Sequence, residues 1–181
     1  DQTLVEATFI RRYKRFLVDV ELANGEHVTA HCANTGSMRA CIQDGARCRL
    51  SYHTKSSRKL PWSLEQIRVS GHWIMVNTAK PNRVVENAIM NGEIAELSGY
   101  DVVERERRVG NSRIDFRLTR RGPQPRPPAW VEVKNVTFRE GHIARFPDSV
   151  TTRGAKHLDE LRQRVLDGER AVLFFHVATE G

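Results

Sequence analysis

Residues 16–76 alternate in polarity between closely spaced turn signals. Phe16, Val18, Val20 and Leu22 recur at every second position before Asn24-Gly25. Val28, Ala30 and Cys32 follow, then Cys48, Leu50 and Tyr52 after Asp44-Gly45. Leu64–Val69 leads through Ser70-Gly71 into Trp73–Val76. Period-2 runs put one face of each strand in a core and the other in water, and short turns make neighbours antiparallel. At this size the pattern predicts a small closed barrel of the OB type, over residues 1–78. Asn34-Thr-Gly-Ser-Met38 reads as a turn whose side chains bond the backbone.

The pattern changes near Lys80-Pro81. Asn82 is a candidate cap for a helix through Val84, Val85, Ala88 and Ile89, stopped at Asn91-Gly92. A short helix at Ile94–Leu97 and strand candidates at Asp101–Arg107, Arg113–Leu118 and Trp130–Thr137 come next. The stretch Arg120–Ala129 is too proline-rich for a helix or a central strand and reads as an exposed hairpin tip. Ala155–Leu166 fits a helix with Leu158, Leu161 and Val165 on its buried face, and Ala171–Val177 reads as a buried strand. That order predicts an α/β domain over residues 79–181 behind the barrel.

Two of these strands carry chemistry. Alternation puts Ile114, Phe116 and Leu118 on one face of the first and Arg113, Asp115 and Arg117 on the other. In the second, Glu132 and Lys134 share a face. With 16 residues between Asp115 and Glu132, a hairpin brings the carboxylates together. Magnesium takes hard oxygen ligands and keeps several waters, so two carboxylates and a substrate phosphate suffice. Such an ion activates water and neutralises charge on phosphate. Lys134 is then a compact charge beside the phosphate, and the Val133 carbonyl is a further candidate metal ligand. A plainer reading is an exposed ion-pair face worth under about 1 kcal/mol.

The net charge is +7, with 11 Lys/Arg against 7 Asp/Glu in residues 1–78 and 18 against 15 in residues 79–181. A basic balance suits a polyanion but does not identify it. Arg12, Lys14 and Arg15 interleave with Tyr13 and Phe16, and Lys55, Arg58 and Lys59 lie near Trp62. Basic residues mixed with aromatics suit phosphate tracking and base stacking. Three cysteines without metal spacing read as buried thiols in a reducing compartment. No apolar run reaches membrane length and the first residues resemble no signal peptide, so the expected location is cytoplasmic, with no membrane partner.

The motifs Arg12–Phe16, His31–Met38, Asn82-Arg83, Ser112–Asp115, Val131–Thr137, Phe146-Pro-Asp148, Arg153–Leu158 and Ala171–Phe175 together resemble the sugar fermentation stimulation protein A (SfsA) family. The second half resembles the PD-(D/E)XK nuclease superfamily. The resemblance implies an OB-like domain, a restriction-endonuclease-like domain and binding to single- or double-stranded DNA. It implies Asp115 and Glu132 as ligands of Mg²⁺ or Mn²⁺, Lys134 as the catalytic lysine, and Glu86 as the carboxylate from the helix. Arg113, Arg153, Lys156 and His157 join the basic residues of the barrel as nucleic-acid contacts. Members of this family run on past residue 181 with another helix and strand. The function classes that follow are a metal-dependent nuclease, a non-cleaving DNA-binding regulator of sugar utilisation genes, and an RNA-binding protein using the barrel.

Overall fold

The computed structural model describes residues 3–38, 41–54, 57–124, 126–140, 143–146 and 152–179. Lys55 and Asp148 lie outside them. The chain divides into two compact units. The first comprises Asp1–Ala79 together with Val136–Phe146 and Val177–Gly181; the second comprises Lys80–Asn135 and Pro147–His176. A single cut after residue 78 therefore differs from the observed division, because two later segments return to the first unit. Within that unit the Ala178 N–H donates to the Val136 carbonyl and the Met75 N–H to the Ala178 carbonyl.

Six strands build the first unit: β1 (Leu4–Tyr13), β2 (Leu17–Leu22), β3 (His27–His31), β4 (Arg47–Tyr52), β5 (Trp62–Val69) and β6 (His72–Met75). They run in the order β3-β2-β1-β4-β5-β6, and a parallel pairing of β3 with β5 closes a five-stranded barrel. Its core is the alternating set from the sequence, with Val18, Val20, Ala30, Cys48, Leu50 and Leu64 all buried beside Phe9 and Ile67. Each fully buried large apolar side chain contributes about 1.5–3 kcal/mol. The three cysteines are buried thiols that form no disulfide among the described residues, and burial pushes the Cys48 thiol up to about 12. In the Asn34 turn, the Gly36 N–H donates to the Asn34 side chain as expected.

The second unit holds α1 (Pro81–Met90), a 3-10 turn (Ala95–Leu97), β7 (Val102–Val109), β8 (Ser112–Thr119), β9 (Ala129–Val136), α2 (Thr152–Leu166) and β12 (Arg170–Val177). Between β9 and α2 in the chain comes a two-stranded hairpin, β10 (Phe138–Glu140) with β11 (Ile143–Arg145), which belongs to the first unit. It was not foreseen from the sequence. The sheet order is β12-β9-β8-β7. The antiparallel pair β8–β9 makes residues 120–128 the expected hairpin tip. Phe116, Leu118, Val131 and Val133 pack with Val85 and Ile89 of α1.

Four local expectations are corrected. Asn82 does not cap α1: Lys80 is the N-cap and Pro81 opens the helix, since its fixed φ and missing N–H suit the first turn. Asn82 is thereby carried into the helix, with its side chain free for another partner. The buried face of α2 is marked by His157 and Leu161, while Leu158 is 50% and Val165 54% exposed. A hydropathy pattern passes over His157 as polar, which rotates the inferred face by about one residue. β12 is an edge strand, half-buried rather than buried. Ile114 leaves the cluster of Phe116 and Leu118 to pack with Trp130 and Leu161. That change coincides with Asp115, where the β8–β9 ladder ends.

Candidate metal centre

The paired residues of β8 and β9 run from Leu118↔Ala129 to Phe116↔Val131 and stop there. One step further, the same register sets Asp115 opposite Glu132. The ladder is replaced at that step by a side chain: the Val133 N–H donates to Asp115 Oδ2 at 2.8 Å. Asn82 Nδ2 donates to Asp115 Oδ1 at 2.7 Å. Both oxygens of Asp115 are thus held, one by a strand and one by the first turn of α1.

Glu132 is held differently. It is 3% exposed. Lys134 Nζ donates to its Oε1 at 2.6 Å, and His157 Nδ1 from α2 hydrogen-bonds the same oxygen. Its other oxygen, Oε2, is buried without a hydrogen-bond partner among the described residues. A buried carboxylate oxygen left unsatisfied is costly unless a positive charge complements it. The shared face of Glu132 and Lys134 expected from alternation is thus seen as a direct contact.

Asp115 carries the electrostatic signature of the pair. Burial and then the charge of Glu132 push its carboxyl above the ordinary value of 3.8, with a further push from Glu106. The Val133 N–H and the Asn82 amide act in the opposite direction. The native state therefore binds more protons than the unfolded chain between the two pKa values, and stability falls as pH rises through that window. In chelator, melting curves from about pH 4 to about pH 8 are expected to show Asp115→Asn gaining on the parent as pH rises, then levelling off. Mn²⁺ should reverse the ranking, since an ion bound only by the folded parent stabilises it. A gap between the two proteins that does not change with pH would contradict this account.

The other expected site residues are dispersed. Glu86 of α1 is engaged by the guanidinium of Arg105, and no group of three or more His, Cys, Asp or Glu side chains is arranged for a metal among the described residues. The helix sends Asn82, not Glu86, to Asp115. His157 is buried at Glu132 and is not a surface contact. Lys156 Nζ donates to the Asn111 carbonyl at 3.2 Å, while Arg153 is exposed.

On the barrel, Lys14 and Arg15 form an exposed turn with φ of 49° and 67°, and Phe16 beside them is 45% exposed. Arg12 is tied to the carbonyls of Arg15, Asn34 and Ser37. Arg58 donates to Ser63 Oγ, Lys59 is exposed, and Trp62 meets Tyr52 edge-on at 4.8 Å. The sequence reading missed Arg49, whose guanidinium lies 3.9 Å from the centre of the Trp73 ring. It also missed Asn82 and His157 as partners of the carboxylates. The Asn82-Arg83 and Arg153–Leu158 motifs drew attention to both, but periodicity could not say where they pointed.

Models of two domains match the chain: the SfsA N-terminal OB domain over residues 10–76 and the sugar fermentation stimulation protein RE domain over residues 79–181. The chain belongs to the SfsA family. A sugar fermentation stimulation protein homolog of Paramagnetospirillum magneticum is 50% identical over 178 residues, covering 98% of this chain and 74% of that one. A homolog from Geotalea uraniireducens is 51% identical over 175 residues, with 96% and 74% covered. Among solved structures, Pyrococcus furiosus SfsA in complex with Ca²⁺ superposes with a TM-score of 0.85 at 28% identity, covering 97% of this chain and 73% of that one. The SfsA architecture is therefore an OB barrel followed by an α/β domain. No helix among the described residues is long and apolar enough to cross a membrane.

Proposed function

We propose that this SfsA chain is a divalent-metal-dependent nuclease that hydrolyses phosphodiester bonds in DNA, in the reducing cytoplasm, with Mg²⁺ or Mn²⁺ held by Asp115 and Glu132. One observation carries the reading: Glu132 Oε2 is buried and, among the described residues, unpartnered, beside a second carboxylate whose pKa is raised by burial and then by Glu132. A hard divalent ion is the natural complement of such a pair. The Pyrococcus relative supports this, having been solved in complex with Ca²⁺, an ion with the same preference for oxygen. The Val133 carbonyl is a further oxygen on the same strand.

When bound, the ion supplies positive charge beside the phosphate and lowers the pKa of water. The chain's own residues do the rest. Asn82 and the Val133 N–H fix the orientation of Asp115. His157 and Lys134 hold Glu132 through Oε1 and leave Oε2 free. Lys134 keeps an ammonium inside the site, where it can stabilise charge developing on the phosphate. Lys14, Arg15 and the exposed ring of Phe16 suit a nucleic-acid backbone and a stacked base.

The test is incubation of purified protein with plasmid and single-stranded DNA in Mg²⁺, Mn²⁺ or a chelator, beside Asp115→Ala. Cleavage is expected with either metal, and none with chelator or with the variant. Affinity for DNA should fall steeply as salt rises, because bound phosphates release counterions. Binding without cleavage under any metal would transfer the reading to a non-cleaving regulator of sugar utilisation genes.

A further inference from the structure

We propose that Arg108 and Arg113 form a phosphate-binding subsite that grips the nucleic-acid backbone next to the bond being cut. The proposal rests on the nuclease reading above and names how its substrate is held.

The starting observation is a mismatch in the pairing of β7 with β8. Glu104 lies opposite Arg117 and bonds it at 2.7 Å. Arg107 also reaches Glu104, and Arg105 is engaged by Glu86. Every arginine of these two strands has a carboxylate except Arg108 and Arg113. These two lie directly opposite each other, both exposed, with no acidic partner among the described residues. Like charges directly opposite on a sheet repel. An anion lying between them turns that repulsion into attraction, and two guanidinium forks suit the oxygens of a phosphate.

Their position makes the anion specific. Buried and less buried positions alternate along β8, with Arg113 exposed and Asp115 half-buried. They are two residues apart, which is about 7 Å along a strand. That is the scale of the spacing between successive phosphates on one nucleic-acid strand. A backbone with one phosphate at Asp115 and Glu132 therefore brings its neighbour to Arg113 and Arg108.

The platform is braced. At the β7–β8 turn, the Asn111 N–H donates to Glu160 Oε1 of α2 at 3.3 Å, and Lys156 of the same helix bonds the Asn111 carbonyl. Gly110 has φ +52°, and a Cβ there would come within 2.5 Å of Glu160 Oε1. The positive φ favours glycine at the turn, and a side chain there would require the Glu160 carboxylate to shift. The class of ligand implied is a polymer with at least two adjacent phosphodiesters.

The experiment measures affinity of the full chain for a fluorescent single-stranded oligonucleotide across a salt series in Ca²⁺. Arg108→Gln/Arg113→Gln is compared with Arg107→Gln, which removes one exposed charge from the same strand. The double variant is expected to bind roughly tenfold or more weakly at low salt. Its salt slope should fall by about one for each arginine that contacts a phosphate. Its melting temperature should be unchanged or higher, since a repulsion is removed. Equal affinity and equal slope for the double variant and Arg107→Gln would overturn the subsite. Hydrolysis of bis(p-nitrophenyl) phosphate with Mn²⁺ by the parent, against Asp115→Ala, tests the nuclease reading separately. If that hydrolysis is seen and the salt slope does not move, the subsite alone is wrong. If the parent neither hydrolyses the ester nor binds the oligonucleotide, both readings fall.

Discussion

Glu132→Gln is expected to abolish measurable Mn²⁺ binding while leaving the fold intact. The glutamine keeps an oxygen where Lys134 and His157 bond Oε1, so the neighbours lose no partner. It replaces the unpartnered Oε2 with an amide nitrogen, which cannot ligate a hard cation. Only one carboxylate, Asp115, then remains, and magnesium-like ions part reluctantly with water for so little. Calorimetry with Mn²⁺ reads the loss, and a melting curve in chelator at or above the parent's shows that the fold survived. A variant that binds Mn²⁺ as the parent does would refute the assignment of Glu132. His157→Ala gives a graded version. Loss of a group that orients a ligand typically costs about 10- to 100-fold in metal affinity, and His157→Gln should recover part of it.

Lys134→Ala is expected to slow DNA cleavage roughly 100- to 1000-fold while the metal stays bound. That is the usual cost of removing one group that stabilises developing charge. Lys134 donates to Glu132 Oε1, the oxygen that His157 also holds, so its removal leaves Glu132 oriented and less neutralised. Mn²⁺ affinity should therefore be equal to the parent's or tighter. Lys134→Arg should not restore the rate, because the guanidinium is planar and larger and its charge is spread. Single-turnover cleavage at saturating Mn²⁺, beside calorimetry, separates a chemical defect from a binding defect. Loss of metal binding in Lys134→Ala would assign the lysine a different role.

Much of the site was legible because a strand is a simple ruler. Asp115 and Glu132 stand on alternating segments joined by a proline-rich tip, and Lys134 is two residues beyond Glu132. Period 2 alone put Glu132 and Lys134 on one face. The antiparallel register, with Phe116 opposite Val131, then brought Asp115 level with Glu132. The barrel was legible for the same reason, since Val18, Val20, Ala30, Cys48 and Leu50 alternate and are all buried.

What could not be read were contacts from the helices. The family resemblance implied Glu86 as the helical carboxylate, yet Arg105 on β7 takes it, and the neutral Asn82 reaches Asp115 instead. His157 of α2 was expected to contact nucleic acid, yet it is buried and bonds Glu132. Its burial against Glu132 depends on how α2 is rotated over the sheet.

By itself the sequence determined the alternation of the barrel strands, the order of elements in the second unit, and the residues that form the carboxylate pair. These follow from the period of a strand and the chemistry of turns, which are local. Tertiary structure alone decided that Oε2 of Glu132 is buried without a partner, that Asn82 and His157 hold the pair from two helices, and that Arg108 faces Arg113. Those depend on register and on helix rotation, which are set by the packing of distant segments and leave no periodic trace in the chain.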